Sequence, residues 1–431
     1  MTPGTDNSPQ PPIGQSADSA RGERRYRFLV TGYAISSYGT FLNMVALNLF
    51  VYETTGRALA MGLFMAVRLA SGFVAGLAAG GLLARFTAKS VMLRTNIAQA
   101  AVMLLLVLAP DGLRTAALVA VSVVVGSCGT LFMVALRSSI PEMVGEERRS
   151  WANSLSITGR SLAMVAGFAS AGVVVSLVGY TAAFVVDMAT FAVCAATVAL
   201  LPIPGGGKGK PERERESAQP PRPARRRVPV AMTALAAAPG LGLMVVLRGV
   251  DALGSSSHNA ALPVYSSELD ASRPAVFVSA FWCLWALGNI VAQQLIQRYG
   301  RRTGRSVGAL GFGYGTCLMS GAFILAFAGF PLVATAVIAL VAGAADGLTE
   351  VSYTSHLQTL PAGPRAHAFG LSATVENLGF GAGMILVAAA LDHFSPLTVV
   401  GWSHGVALLV AAVFLVRVTG LRRAAPNPPA S

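Results

Sequence analysis

The sequence is poor in charged residues and in cysteines. Only 12% of the 431 residues are charged, against about 25% in a typical soluble domain. The four cysteines stand singly inside apolar runs, at Cys128, Cys194, Cys283 and Cys317. None belongs to a CxxC motif or to a Cys/His cluster. The spacing therefore speaks against a disulfide framework and a metal site, and we expect neither a metal nor a cofactor.

Motifs that power or catalyse reactions are also missing. There is no phosphate-binding GxxxxGK[ST] loop, which argues against direct ATP drive. There is no HExxH pair of the kind that an intramembrane hydrolase would use. We therefore expect that the protein is not an enzyme.

Apolar residues and glycine are abundant instead. Hydrophobic residues make up 54% of the chain, mean hydropathy is +0.61, and there are 46 glycines. Small residues let membrane helices approach closely, and about 20 apolar residues span a bilayer. These features predict an all-α polytopic membrane protein with twelve transmembrane helices. The predicted spans are Phe28–Tyr52, Leu59–Ala84, Val91–Leu108, Thr115–Leu136, Ala152–Leu177, Thr181–Leu201, Leu241–Tyr265, Pro274–Gln297, Ser306–Phe327, Pro331–Leu357, Phe369–Leu391 and Leu397–Val418.

One long polar stretch divides the chain. Pro202 to Val228 reads PIPGGGKGKPERERESAQPPRPARRRV and has no apolar periodicity, so it is typical of a flexible linker. The predicted organisation has a disordered N-terminal tail, a six-helix bundle, a basic linker, a second six-helix bundle and a C-terminal tail. Their limits are 1–27, 28–201, 202–240, 241–420 and 421–431.

Basic residues collect on one side of the predicted membrane. Of the 32 Lys and Arg, three fall on the outer side (Arg57, Arg114, Arg273) and three within spans (Arg68, Arg160, Arg248). All the others lie on the side of the linker and both termini, which the positive-inside rule makes cytoplasmic. The net charge of +13 then reports topology and attraction to anionic lipid headgroups, not nucleic-acid binding. We expect a multi-pass protein of the plasma membrane.

The two halves carry a weak internal repeat. Val51-Tyr52 ends the first span and Val264-Tyr265 ends the seventh, while Arg85-Phe86 ends the second and Arg298-Tyr299 the eighth. Each pair is offset by 213 residues. A constant offset over two helices and a loop indicates two pseudo-symmetric six-helix bundles.

Twelve helices, a basic central loop and two basic turns resemble the major facilitator superfamily. That family carries a motif of Gly, an acid and several basic residues after its second and eighth helices. The matching positions here are Gly80, Arg85, Lys89, Arg298, Gly300, Arg301 and Arg302. The first copy has Ala84 at the acidic position, and the second lacks the opening Gly and the acid. The resemblance implies a conformational role for these loops; the alternative is that the basic residues only fix topology.

Three stretches resemble the macrolide-efflux and siderophore-exporter branch of that family. They are Leu47 to Gly56 (LNLFVYETTG), Arg137 to Leu155 (RSSIPEMVGEERRSWANSL) and Gly179 to Phe191 (GYTAAFVVDMATF). The resemblance implies export of an amphiphilic small molecule, and we expect a monomer.

Polar residues recur at helical spacing on three predicted spans. One face of the seventh carries Arg248, Asp251, Ser255, His258 and Asn259; one face of the tenth carries Asp346, Glu350, Tyr353 and His356; one face of the first carries Tyr33, Ser36, Ser37, Thr40 and Asn43. Ionisable residues within a span are costly unless they face a cavity or a partner. In the resembled family the first, fourth, seventh and tenth helices line the central cavity, which agrees with these stripes.

These stripes supply the candidate site residues. The proton-coupling candidates are acids within spans: Asp251, Asp346, Glu350 and Glu376. The candidate cavity and substrate residues are Asn43, Arg160, Arg248, His258, Asn259, Trp282, Trp285 and Tyr353. The alternatives are ion pairs, solvated faces and packing; Arg68 and Asp187 are interpreted as structural.

The predicted function is secondary active transport by alternating access, in the form of proton-driven efflux of an antibiotic, a siderophore or another amphiphilic metabolite. One alternative is an uptake permease or facilitator of the same fold, because topology does not set direction. A remoter alternative is a membrane sensor that does not transport.

Overall fold

A computed structural model describes residues 13–145, 147–203, 239–304, 307–360 and 362–424. Most of the predicted linker, the first twelve residues and the last seven lie outside the described residues. The predicted flexibility of the linker and the disorder of those tail residues therefore stay predictions.

The described residues form twelve α-helices and one 3-10 turn, Asp111–Leu113. In chain order the helices are α1 Ile13–Thr55, α2 Ala58–Arg85, α3 Ala88–Leu108, α4 Arg114–Val144, α5 Arg149–Val178, α6 Tyr180–Leu200, α7 Pro239–Leu269, α8 Pro274–Thr303, α9 Gly308–Ala326, α10 Leu332–Gln358, α11 Ala362–Leu391 and α12 Pro396–Ala424. Eleven of them are long and apolar enough to cross a membrane. The exception is α7, whose central turns carry the polar stripe from Arg248 to Asn259.

The first helix starts well before the predicted Phe28, and residues 13–27 are helical instead of disordered. Contacts with α5 explain the extension. Tyr26 is fully buried, and its hydroxyl lies 2.7 Å from Ser156 Oγ. Glu23 pairs with Arg148 at the start of α5. These contacts hold the polar turn that precedes the apolar span.

The turn between α8 and α9 also differs from expectation. α8 runs on to Thr303, so Gly300 is helical, and the left-handed residue that ends the helix is Gly304 (φ 66°). Gly304 and Gly308 frame a GxSxG sequence. In hydrolases that pattern follows a strand, whereas here Gly304 follows a helix; the two residues after Gly304 lie outside the described residues.

Helix pairing is the same in the two halves. In the first half α1 packs on α5 and α6, α3 packs on α4 and α6, and α2 packs on α4. In the second half α7 packs on α11 and α12, α9 packs on α10 and α12, and α8 packs on α10. Each second-half pair is the counterpart of a first-half pair six helices earlier. The expected repeat is therefore visible in the packing.

Glycines make matching close contacts in both halves. A Cβ on Gly126 of α4 would overlap the backbone carbonyl of Arg68 on α2. A Cβ on Gly343 of α10 would overlap the carbonyl of Trp285 on α8. Small residues at such crossings let membrane helices pack backbone against backbone.

The halves meet along two crossings, α2 with α11 and α5 with α8. Gly62 packs on Met384, and Gly172 packs on Ser279. We call the side of the bundle that holds the end of α6 and the start of α7 the linker side. The two crossings lie towards the opposite side, where Asp392 also accepts a hydrogen bond from the Ala58 amide (3.0 Å). The space between the halves therefore opens to the linker side.

Candidate functional site

The guanidinium of Arg248 on α7 is shared by three carboxylates from three helices. Its Nη2 lies 2.7 Å from Glu350 of α10 and 3.0 Å from Glu376 of α11, and its Nε lies 3.2 Å from Glu376. Its Nη1 lies 3.6 Å from Asp251, one turn further along α7. We call these four residues the Arg248 cluster. Three of the four proton-coupling candidates are thus brought together.

Burial varies within the Arg248 cluster. Side-chain exposure is 11% for Arg248 and 5% for Asp251, but 48% for Glu350 and 42% for Glu376. The two glutamates therefore face the open space, while Asp251 lies behind them. One buried oxygen of Asp251, Oδ1, has no hydrogen-bond partner among the described residues. The cluster carries more negative than positive charge when its acids are ionised.

Tyr353 packs its ring against the guanidinium of Arg248. Its ring lies 5.3 Å from the Arg248 guanidinium carbon, within the range of a cation–π contact. Its hydroxyl donates to Ser372 of α11 (2.6 Å). Tyr353 is buried. It positions the guanidinium and joins α10 to α11.

Asp346, the fourth acid, lies in a separate cavity between the halves. We call this cavity of about 290 Å³ the inter-half chamber. Its polar lining includes Arg160 from α5 and Asp346 from α10, together with Asn259 and Trp285. Asn289 donates to Asp346 Oδ2 (2.8 Å) and accepts from Gln293 (2.7 Å), which fixes the carboxylate. Asn259 donates to the Ser255 carbonyl (2.9 Å).

Aromatic rings form the rest of the inter-half chamber. Phe168 of α5 stacks on Trp282 of α8 across the boundary between the halves, with centroids 6.0 Å apart. Trp282 meets Trp285 edge-on at 5.3 Å. The predicted substrate residues Arg160, Asn259, Trp282 and Trp285 thus share one cavity.

The first half presents a basic wall to the linker side. A second cavity, of about 890 Å³, is lined by α1, α4 and α5. Arg137, Arg149 and Arg160 lie on it with Asn153 and Ser156, and none of its lining residues in the described part of the chain is acidic. Arg160 lines both cavities, so the basic wall reaches the inter-half chamber.

Asn43 and His258 belong to buried polar groups inside each half. Asn43 of α1 donates to Asp187 of α6 (2.6 Å) and lies 3.7 Å from the sulfur of Met103 on α3. His258 of α7 shares a hydrogen bond with His404 of α12 (3.1 Å). His404 in turn lies 3.2 Å from Ser320 of α9. Asn43 lies away from the inter-half chamber, whereas His258 borders it.

These two groups occupy equivalent places in the two halves. Each joins the first, third and sixth helix of its half, and we call them the Asn43 trio (Asn43, Met103, Asp187) and the His258 trio (His258, Ser320, His404). His404 and Ser320 were not among the site residues predicted from the sequence. An intramembrane histidine is uncommon enough to be a signal in itself, but its partner cannot be identified without the packing.

The basic turn residues form local contacts. Lys89 donates to the carbonyls of Ala199 (2.8 Å) and Leu201 (2.7 Å), so it caps the C-terminal end of α6. Arg85, Arg298, Arg301 and Arg302 make no ion pair with other described residues. Gly80 lies in open space near the end of α2. The proposed conformational role of the two loops stays a prediction.

No group of three or more His, Cys, Asp or Glu side chains in the described ranges has a geometry that could hold a metal ion. The acids of the Arg248 cluster are instead turned towards the guanidinium.

Twelve helices in two equivalently packed groups, with charged side chains facing the space between them, define the fold of a membrane transporter. A family model described as Major Facilitator Superfamily matches residues 29–356 and, again, 244–431. The chain belongs to the Major Facilitator Superfamily. A comparison with curated protein sequences gave no match.

Solved transporter structures share the fold at low sequence identity. A peptide transporter POT in complex with sulfate has a TM-score of 0.64 at 16% identity, covering 94% of this chain and 95% of that one. A variant of the nucleoside transporter NupG has a TM-score of 0.65 at 15% sequence identity, and the match covers 92% of this chain and 99% of that one. The third structure is a bacterial homolog of the human lysosomal transporter Spinster in an inward-facing and unoccupied conformation. Its TM-score is 0.64 at 14% sequence identity, and the match covers 93% of this chain and 96% of that one. At these identities the likeness concerns the fold alone.

Proposed function

We propose that this protein is a proton-coupled exporter of an amphiphilic small molecule that works by alternating access in the plasma membrane. The observation that carries the proposal is the Arg248 cluster, in which one guanidinium is shared by Asp251, Glu350 and Glu376. The cluster lies in the half of the protein that faces the basic wall across the open space.

The charge balance of the Arg248 cluster supports coupling. Three ionised carboxylates around one guanidinium leave two net negative charges beside the buried side chains of Arg248 and Asp251, which is costly. Protons that bind to Glu350 or Glu376 relieve this cost, and so does a cationic group of a substrate. Because the two ligands compete for the same charge, binding of one favours release of the other. That competition is the requirement for antiport.

The conformation fits loading from the cytoplasm. The halves touch on the side opposite the linker, through Ala58 and Asp392 and through Gly172 and Ser279. The positive-inside rule makes the linker side cytoplasmic. On that orientation the open cavities receive a substrate from inside the cell. Export is favoured over uptake by the resemblance of three stretches to the efflux branch.

The test uses inside-out vesicles with an acidified lumen and a pH-sensitive dye. Macrolides, siderophores and cationic amphiphiles are added one at a time to the wild type, Glu350→Gln and Glu376→Gln. Glu142→Gln is the matched control, because Glu142 is exposed near the linker-side end of α4 and pairs with none of the described residues.

We expect at least one compound to make the lumen more alkaline with wild type and with Glu142→Gln. The response should fall at least about tenfold with either cluster variant. Uptake by symport would instead acidify the lumen when compound is added to the medium, because protons would then enter the lumen together with the compound. An unchanged response in both cluster variants would contradict the assignment of the Arg248 cluster as the coupling site.

A further inference from the structure

The inter-half chamber has one basic and one acidic pole. Arg160 reaches it from α5 in the first half, and Asp346 reaches it from α10 in the second half. The lining of the chamber therefore carries opposite charges on separate halves of the protein. A molecule that contacts both charged groups would bridge the two halves of the protein.

The basic pole has unused binding capacity. The Arg160 guanidinium carbon lies 5.0 Å from the centre of the Phe41 ring. No carboxylate in the described ranges lies within ion-pair distance of it, although the side chain is exposed to the cavity. The indole nitrogen of Trp285 is buried in the same lining and has no hydrogen-bond partner in the described part of the chain. Buried donors without partners are uncommon and costly, so the chamber is short of an acceptor or anion.

The acidic pole is oriented by its neighbours. Asn289 donates to one oxygen of Asp346, and Gln293 fixes Asn289 in turn. The other oxygen accepts no hydrogen bond from the described residues. Asp251, Arg248 and Glu350 act on Asp346 electrostatically, but Arg248 lies beyond ion-pair distance of it, within its own cluster. A positively charged group in the chamber would supply the missing partner.

Between the poles the walls are apolar. The rings of Phe41, Phe168, Trp282 and Phe323 and the side chains of Met164 and Met319 line the chamber. Its volume of about 290 Å³ is near the lower end of small-molecule sites, which range from about 300 to 1,000 Å³. Such walls favour a compact apolar or aromatic body that buries its surface against rings.

We propose that the inter-half chamber binds an amphoteric molecule: a compact aromatic body whose cationic group lies at Asp346 and whose anionic group lies at Arg160 and the Trp285 indole. This inference rests on the proposed transport function and names its substrate class. It places protons on the Arg248 cluster and the cationic group of the compound at Asp346, and the two compete through charge because Asp251, Arg248 and Glu350 act on Asp346 electrostatically.

The test measures binding directly, by isothermal titration calorimetry on the purified full chain in lipid nanodiscs. The probes share one body and differ in charge: naphthylalanine carries both charges, its carboxamide only the cation, and its N-acetyl derivative only the anion. The wild type should bind naphthylalanine at least about tenfold more tightly than either derivative, since each lost charge removes a charge-assisted hydrogen bond.

Substitutions in the chamber test which charged group of the probe each pole binds. Arg160→Gln should abolish the preference over the carboxamide and keep the preference over the N-acetyl form. Asp346→Asn should do the reverse. Trp285→Phe keeps the ring but removes the donor, so it should weaken binding of the anion-bearing probes about threefold to tenfold. The matched control is Arg94→Gln, because Arg94 lies over the Phe86 ring at the same 5.0 Å but outside the chamber.

Equal affinity for the three probes, or no binding of naphthylalanine to the wild type, would overturn the proposal. Selectivity that survives in both Arg160→Gln and Asp346→Asn would overturn the assignment of the poles. Glu350→Gln separates this inference from the proposed function, because it should keep the probe selectivity and lose proton movement. Proton-coupled transport confined to compounds with a single charge would refute only the inference.

Discussion

The two halves share a scaffold but not a chemistry. Both use the same helix pairs, and Gly126 and Gly343 make the same backbone contact in each. The second half gathers three of its acids around Arg248, whereas the first half presents Arg137 and Arg160 to the open space with no acid of the described residues in an ion pair with either. Backbone packing therefore follows the repeat, and the charged side chains depart from it. The residues that break the symmetry are the ones we assign to function.

The largest effect should come from removing the cation of the second half. Arg248→Gln leaves Asp251, Glu350 and Glu376 together without a counter-charge. We expect transport to fall at least about 100-fold and stability to fall by about 2–4 kcal/mol. The stability loss lies below the ~3–5 kcal/mol of a fully buried pair, because the two glutamates are about half exposed. Transport assays and thermal denaturation in detergent measure both effects.

A second variant shows whether charge balance is the cause. Adding Glu376→Gln to Arg248→Gln removes one of the stranded acids, so the double variant should be more stable than the single one. Transport should stay lost. A double variant that is less stable than Arg248→Gln would mean that the cluster acts through packing instead of charge.

Substitutions in the two buried trios should lower the stability of the protein by different amounts. Asn43→Leu takes the amide donor from Asp187, whose residue is 1% exposed, and should cost about 2–3 kcal/mol because a buried carboxylate is left. His404→Leu leaves the His258 imidazole and the Ser320 hydroxyl without their shared partner and should lower stability by about 1–2 kcal/mol. Both variants should keep proton coupling in the protein that folds. A larger loss for His404→Leu in thermal denaturation would contradict this ranking.

The matching glycines should respond alike. Gly126→Ala and Gly343→Ala each push a methyl group against a backbone carbonyl, so each should destabilise by about 1–3 kcal/mol. Gly321→Ala is the control, because a Cβ there meets no atom within 4 Å, and it should be neutral or slightly stabilising. A loss at only one of the paired glycines would show that the repeat does not extend to these crossings.

The smallest expected effect concerns the contact that closes the side opposite the linker. Asp392 accepts from the first amide of α2 and so links the halves at the α2–α11 crossing. The α5–α8 crossing is held by the packing of Gly172 on Ser279. Asp392→Ala should shift the equilibrium towards the state open on that side by about 0.5–2 kcal/mol, as loss of a helix cap does. Spin-label distances across each crossing measure the shift; Asp392→Asn should show a smaller one.

Much of the fold was predictable because hydropathy reports membrane spans directly. All twelve predicted spans correspond to helices. The ends were less predictable, since they depend on contacts that hydropathy does not see. Residues 21–27 continue α1 because Tyr26 and Glu23 dock on α5, and α8 continues through its basic end to Gly304.

The site was predicted only in part, because periodicity gives the face of a helix but not the neighbour against it. The stripes on α7 and α10 predicted one polar face on each helix, and in the structure Arg248 contacts Asp251 on its own face and Glu350 on the other helix. The same reasoning grouped Asn43 and His258 with the cavity. Both are hydrogen-bonded within their own halves, and of the two only His258 also borders the inter-half chamber. Glu376 joins the cluster from α11, a helix that had no recognisable stripe.

The central claim is that a transported compound and protons compete for the Arg248 cluster. The most direct measurement is the number of protons released when a compound that passes the vesicle assay is added to purified protein in weakly buffered solution. The account predicts release from the wild type and from Glu142→Gln, and release reduced by at least about half in Glu350→Gln and Glu376→Gln. Equal release from all four proteins, or none from the wild type despite saturable binding, would contradict it.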